Sequence, residues 1–192
     1  MSEQSRTPAI NDEGTQQVDT SYSITSLEIA LLHGLFWCPA RRVCEIADGL
    51  ERLDFADDDH YEIFGLIVAN ARAVVKQSPE ECLNPELVRA ELRDAGKFTE
   101  SMSHKMLAVA STGRPSVNPV ELGEIVKKLR LERTRRGMRC AADGLHAAAA
   151  NGSTADMAKA IDDTKYLAVL ADRAGLNTSL FKSLIRLRGW HK

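Results

Sequence analysis

Apolar positions recur at spacings of three and four over most of this chain, the pattern of helices with one buried face. The longest such stretch is 118–175. It opens at Asn118-Pro119, a cap residue followed by a proline at the first helical position. It then continues for about thirty residues with no interior proline, and Leu122, Val126 and Leu129 share one face. Asn151-Gly152-Ser153 breaks the run. A second helix begins at Ser153 or Thr154, carries Ile161, Leu167 and Leu170 on its apolar side, and stops at Gly175. A helix of about thirty residues is about 45 Å long, more than a compact domain of this size uses. The pair therefore reads as a projecting helical hairpin that seeks a partner hairpin.

Upstream, residues 1–24 are polar, poor in apolar side chains and contain Pro8 and Gly14, the composition of a disordered tail. Five helices are then predicted. The first, 26–37, has Leu27, Ala30, Leu31, Leu35 and Phe36 at helical spacing, and the second, 39–48, turns Val43, Ile46 and Ala47 inward before Gly49 stops it. Leu53-Asp54-Phe55 is a connector with Phe55 as a core anchor. Asp57, Asp58 or Asp59 caps a third helix bearing Ile63, Phe64, Ile67, Val68, Ala71 and Val75. Asn84-Pro85 starts a fourth, with Leu87, Val88 and Leu92 inward and Gly96 at its end. A fifth covers 99–111 with Met102, Met106, Leu107 and Val109, and Gly113-Arg114-Pro115 is the expected hinge to the hairpin. A last short helix is expected over 178–188. No window alternates as a strand does. The expected fold is all-α: a disordered tail (1–24), a compact head of about five helices (25–114), a long antiparallel helical hairpin (115–176) and a basic amphipathic tail (177–192).

Length fits one domain plus tails, and a chain of 192 residues needs neither metal nor disulfide, since it can bury roughly 70% of its unfolded surface. Aromatics at 5% and abundant Ala, Leu and Arg favour the helical class. Cys38, Cys44, Cys82 and Cys140 form no CxxC pair and no signal peptide opens the chain, so reduced thiols and a cytoplasmic location are expected. No apolar run reaches the roughly eighteen residues of a membrane span.

Candidate chemistry is sparse. The lone Gly96-Lys97 lacks the glycine at 91 and the Ser or Thr at 98 of a phosphate-binding loop; Glu91 and Phe98 stand there. Of the possible metal sets, Asp57 and Asp59 beside His60 read as the capping acids of a helix start, and His33, Cys38 and Cys44 match no standard zinc spacing. His60 reads as a packed or hydrogen-bonded residue of the third helix. No GxSxG or Cys–His frame supports a nucleophile. The expectation is a non-enzymatic protein with no catalytic, metal or cofactor site.

Charge changes the picture more. Net charge is only −2, so no global field draws the chain to nucleic acid or membrane. Residues 45–62, however, hold eight acids against one arginine, while 127–139 hold seven Lys or Arg against Glu132. The basic run is either a solvated helix middle or a contact for an acidic partner or a nucleic-acid backbone, with Arg130, Arg133, Arg135, Arg136 and Arg139 as its contact residues. The acidic belt offers a complementary surface on a neighbouring subunit. In the tail, Phe181, Leu184, Ile185 and Trp190 are interleaved with Lys182, Arg186 and Arg188. That segment packs back on its own head, docks in a partner groove or lies on a membrane surface.

Four stretches, in order, resemble the N-terminal domain of DnaB-family bacterial replicative helicases: 26–36 (SLEIALLHGLF), 55–66 (FADDDHYEIFGL), 84–96 (NPELVRAELRDAG) and 118–136 (NPVELGEIVKKLRLERTRR). The likeness covers about 25–175. It implies a globular head with a helical hairpin, hairpins pairing between subunits into a collar, and contacts with primase and loading factors rather than ATP hydrolysis. In that family a linker helix follows the hairpin, and 180–190 stands in its place.

Together these readings predict a self-associating interaction module of DNA replication, pairing as a homo-oligomer through Leu122, Val126, Leu129, Leu145, Ile161 and Leu170. Its expected partners are a replicative helicase, a primase or a loader, with a small DNA-binding regulator as the alternative. Between Leu129 and Cys140 the inward candidates are Glu132, Arg133 and Arg136. The hairpin thus has a charged waist between two apolar patches.

Overall fold

The computed structural model describes residues 20–111 and 119–176, and among them the chain is all-helical. The helices are α1 (Thr20–Phe36), α2 (Ala40–Ala47), α3 (Asp58–Val74), α4 (Pro85–Asp94), α5 (Glu100–Ser111), α6 (Pro119–Asn151), α7 (Thr154–Asp163) and α8 (Lys165–Arg173). A single 3₁₀ turn, Arg52–Asp54, sits between α2 and α3. Among the described residues no helix is long and apolar enough to cross a membrane. All four cysteines are free thiols.

Local chemistry sets most of the boundaries. The Asp57 side chain accepts from Asp59 N and His60 N at the start of α3, and Asn84 accepts from Glu86 N ahead of Pro85. Ser153 and Asp156 form a reciprocal capping box that restarts the chain after Gly152. Gly96 and Gly175 take φ of 68° and 73°. There the amides of Lys97 and Leu176 reach back to Leu92 O and Ala171 O, closing α4 and α8 in a left-handed turn that glycine adopts without strain.

The core gathers around α1, which packs on α3, α5 and α6. Leu31, Leu32, Leu35 and Phe36 are buried against Ile63, Ile67, Val88, Leu92, Met102 and Met106. His33 Nδ1 donates to Val109 O at 2.7 Å, fastening α1 to α5. Gly34 lets α6 come close, since a Cβ there would stand 2.5 Å from Leu122 Cδ2. Leu122, Val126 and Leu129 thereby enter the same core. At about 1.5–3 kcal/mol for each buried side chain, this seam outweighs any surface ion pair along α6, worth about 0–1 kcal/mol.

Several expectations change. Helix α1 begins at Thr20, so 20–24 are helical rather than tail. Leu87 and Leu107, expected inward, are 52% and 53% exposed, because Val88 and Leu92, and Met106 and Val109, already fill the inner faces of α4 and α5. The returning helix is two helices. At Thr164 the hydroxyl bonds back to Ile161 O at 2.6 Å, and Thr164 N and Leu167 N make three-residue rather than four-residue hydrogen bonds, which tightens the turn and separates α7 from α8. The predicted hinge at 113–115 and the helix at 178–188 lie outside the described residues.

Asp57 gives the fold a pH dependence. Burial raises its carboxyl, but Lys105, at 2.7 and 2.8 Å, and the α3 amides overcome that and hold it below the usual carboxylate range. A depressed folded pKa adds stability that is complete above about pH 4 and is lost as pH falls through the folded value. Asp57→Asn keeps a neutral cap and removes the charge. Urea midpoints from neutral to acid pH should show the variant less stable at neutrality and shallower in its acid decline; equal acid slopes would refute this role.

Candidate functional site

In the middle of α6, Arg130, Arg133 and Arg136 follow one another at intervals of three and face the loop that carries the 3₁₀ turn. Arg133 Nη1 donates to Glu51 Oε2 at 2.8 Å and to Asp54 Oδ1 at 3.2 Å, and its Nη2 donates to the Tyr166 hydroxyl. Arg136 Nη2 donates to Leu53 O at 2.8 Å, and Arg130 Nη2 donates to Gly49 O. From α8, Arg173 adds contacts to Glu51 Oε2 at 2.7 Å and Asp54 Oδ2 at 3.2 Å. Asp54 is 0% exposed, and its Oδ2 also accepts from Glu51 N at 2.8 Å.

The acidic loop and the basic helix middle thus meet within one chain. Burial lowers the Arg133 guanidinium, but hydrogen bonds to Glu51, Asp54 and Tyr166 more than compensate and raise it above its usual range. The hydrogen bond from Arg133 leads in holding Glu51 below the ordinary carboxylate range. Arg136 goes the other way: burial pulls it down, against the carboxylates of Glu28, Glu132 and Asp54. These groups neutralise one another, and the assembly acts as a clamp.

A second buried pair holds the loop from its other side. Glu28 of α1, 0% exposed, accepts from Ala56 N at 2.5 Å and from His60 Nδ1 at 2.7 Å. His60, expected from the sequence to be packed or hydrogen-bonded, is both, and its partner Glu28 was not expected. Glu28 lies one turn before Leu31 and Leu32 on the apolar side of α1, and an acid on that face is the signal.

The predicted contact residues separate. Leu122, Val126 and Leu129 are buried in the core of their own chain, so they are not surface residues for self-association. Leu170 is also buried, over Gly137, where a Cβ would stand 2.7 Å from its Cδ1. Leu145 and Ile161 are exposed, at 39% and 59%, together with Met138 and Met157, which helical spacing alone does not single out. Arg130, Arg133 and Arg136 turn to the loop; Arg133 is buried there, and Arg130 and Arg136 are half-buried. Arg135 and Arg139 face outward, Arg135 paired with Glu132. Phe181, Leu184, Ile185 and Trp190 lie outside the described residues.

Among the described residues no group of three or more His, Cys, Asp or Glu is arranged to hold a metal ion. No family model, curated protein or solved structure matches this chain.

Removing one partner of a buried ion pair strands the other. Asp54→Ala should destabilise the protein by about 3–5 kcal/mol, read from urea unfolding. Asp54→Leu combined with Arg133→Met should cost much less than the sum of the two single changes. A loss below about 1 kcal/mol for Asp54→Ala, the range of exposed pairs, would show that the clamp is not a buried one.

Proposed function

We propose that this chain is a non-enzymatic self-association and protein-interaction module of DNA replication, a collar-like unit similar to the N-terminal domain of DnaB-family replicative helicases. In this reading 25–114 form a helical head, 115–176 a helical hairpin, and 177–192 a docking tail. The order of the elements supports it. The four resembling stretches fall on α1, the entry to α3, α4 with its closing glycine, and the first half of α6.

The observation that carries the proposal is the exposed apolar set Met138, Leu145, Met157 and Ile161 on α6 and α7. Single exposed apolar residues are ordinary, but four on adjoining helices form the kind of patch that marks a protein contact. The partner is a second copy of the chain, and the assembled collar then meets a replicative helicase, a primase or a loader. The DNA-binding alternative has less support, because Arg130, Arg133 and Arg136 each donate to the 49–54 loop and leave Arg135 and Arg139 outward.

Light scattering on the purified chain at tens of micromolar should give a dimer or larger species. Leu145→Glu combined with Ile161→Glu should reduce it to a monomer with an unchanged melting temperature. A wild-type chain that stays strictly monomeric would defeat the collar reading. Affinity capture from the native cell, scored for helicase, primase and loader, tests the replication role; recovery of none of the three counts against it.

A further inference from the structure

Cys38 and Cys82 meet where the corner between α1 and α2 crosses the loop ahead of α4. Polar contacts hold the two segments together. Ala40 N donates to Glu81 O at 2.9 Å, Arg41 N donates to Pro79 O at 3.1 Å, and the Arg41 side chain pairs with Glu80 at 3.1 Å. Pro39 and Cys82 form an antiparallel bridge, and the bond from Ala40 to Glu81 makes it the narrow kind, with Cα atoms about 4.5 Å apart. Cys38 Cα, one residue along, is then about 5–6 Å from Cys82 Cα. That is inside the window of about 4.4–6.8 Å that a disulfide spans.

In a regular ladder residues 38 and 82 would point to opposite sides. This bridge, however, is a single isolated pair, and the Cys82 thiol donates to Trp37 O at 3.4 Å. Trp37 O belongs to the peptide that joins Trp37 to Cys38. The bond turns the Cys82 sulfur towards Cys38 and puts it within about 6 Å of Cys38 Cα. The remaining gap is of the size that side-chain rotation covers.

The two thiols differ in access. Cys82 is exposed, whereas Cys38 is 3% exposed. Burial leads in pushing the Cys38 thiol up, the Cys82 sulfur adds to it, and Arg42 opposes them. Cys38 is therefore held as a shielded, protonated thiol, a poor first target for an oxidant. Cys82 stands open to solvent with a second sulfur beside it, the arrangement of a redox-responsive cysteine and its resolving partner.

We propose that Cys38 and Cys82 form a reversible thiol-oxidation site, Cys82 being the sulfur that meets a peroxide and Cys38 the sulfur that resolves it. The Cys82 thiolate attacks hydrogen peroxide; an S–O bond forms, the O–O bond breaks, and the leaving hydroxide takes up the proton that the thiol released. The Cys38 sulfur then attacks the Cys82 sulfenic acid; the S–S bond forms, the S–O bond breaks, and hydroxide leaves with the Cys38 proton as water. Two thiols lose one electron each and the peroxide becomes two waters. A dithiol reductant returns both thiols. The bond closes the chain from 38 to 82 around α2 and α3 and locks the α1–α2 corner onto the loop ahead of α4. None of this depends on self-association.

The test treats the reduced full chain with hydrogen peroxide, blocks remaining thiols with a maleimide and maps the cysteine peptides by mass spectrometry. Wild type should lose two hydrogens, yield a peptide pair joined through Cys38 and Cys82, and release it on adding dithiothreitol. Its melting temperature should rise on oxidation, because the closed loop constrains the unfolded chain, and fall back on reduction. Cys82→Ser should leave Cys38 a free thiol, and Cys38→Ala should leave Cys82 as a sulfenic acid that dimedone traps. Since Cys38 is buried and its variant risks misfolding, Cys44→Ser with Cys140→Ser, which keeps only the proposed pair, should form the same link as wild type. A wild type in which Cys82 oxidises while Cys38 stays a thiol, or in which Cys38 links to Cys44, overturns the proposal. An oxidised chain that melts no higher than the reduced one overturns it too, because the sulfurs then meet only by distorting the fold.

Discussion

Asp54 is a carboxylate with no exposure to solvent, and the fold around it follows from what such a charge requires. Burying it costs several kcal/mol unless cations and hydrogen-bond donors surround it. Arg133 from α6, Arg173 from α8 and the backbone amide of Glu51 supply them. Replacing such a pair by apolar residues is often neutral for stability, whereas breaking it is not. Its consequence is therefore placement: it ties α6 and α8 to the 49–56 loop. Glu28 secures the far side of that loop through Ala56 N and His60, so the segment is held by charge from both directions.

The clamp also divides α6 into three parts with different roles. Its first third, with Leu122, Val126 and Leu129, belongs to the core beside α1. Its middle gives three arginines to the loop. Only the last third, beyond Met138, presents its apolar side chains outward alongside α7. A helix of 33 residues is thus anchored by hydrophobic burial at one end and by ion pairing at the centre, which leaves its far end available for contact.

Secondary structure was largely legible because its signals are local. Asp57, Asn84 and Ser153 cap helices through side chains that reach two or three residues onward, and Gly96 and Gly175 close helices for steric reasons internal to the backbone. The break at Thr164 was missed because the residue is also compatible with a continuing helix. The charged waist was legible as a set of inward polar residues on α6, but the partners were not. Arg173 and Tyr166 lie on a later helix, and nothing in their local sequence distinguishes them from solvated positions.

Which leucines were core and which were surface could not be read from spacing. Leu122 and Leu145 occupy equally apolar stripes of one helix, yet one is 0% and the other 39% exposed. Periodicity reports that a face is apolar, and only the packed neighbours decide whether that face is already covered. By itself, the sequence determined an all-helical chain, its caps and stops, and the attraction between an acidic loop and a basic helix middle. The tertiary structure decided that this attraction is satisfied within one chain, because α1 and α8 bring Glu28 and Arg173 to the same loop, and that the outward apolar residues stand on α6 and α7.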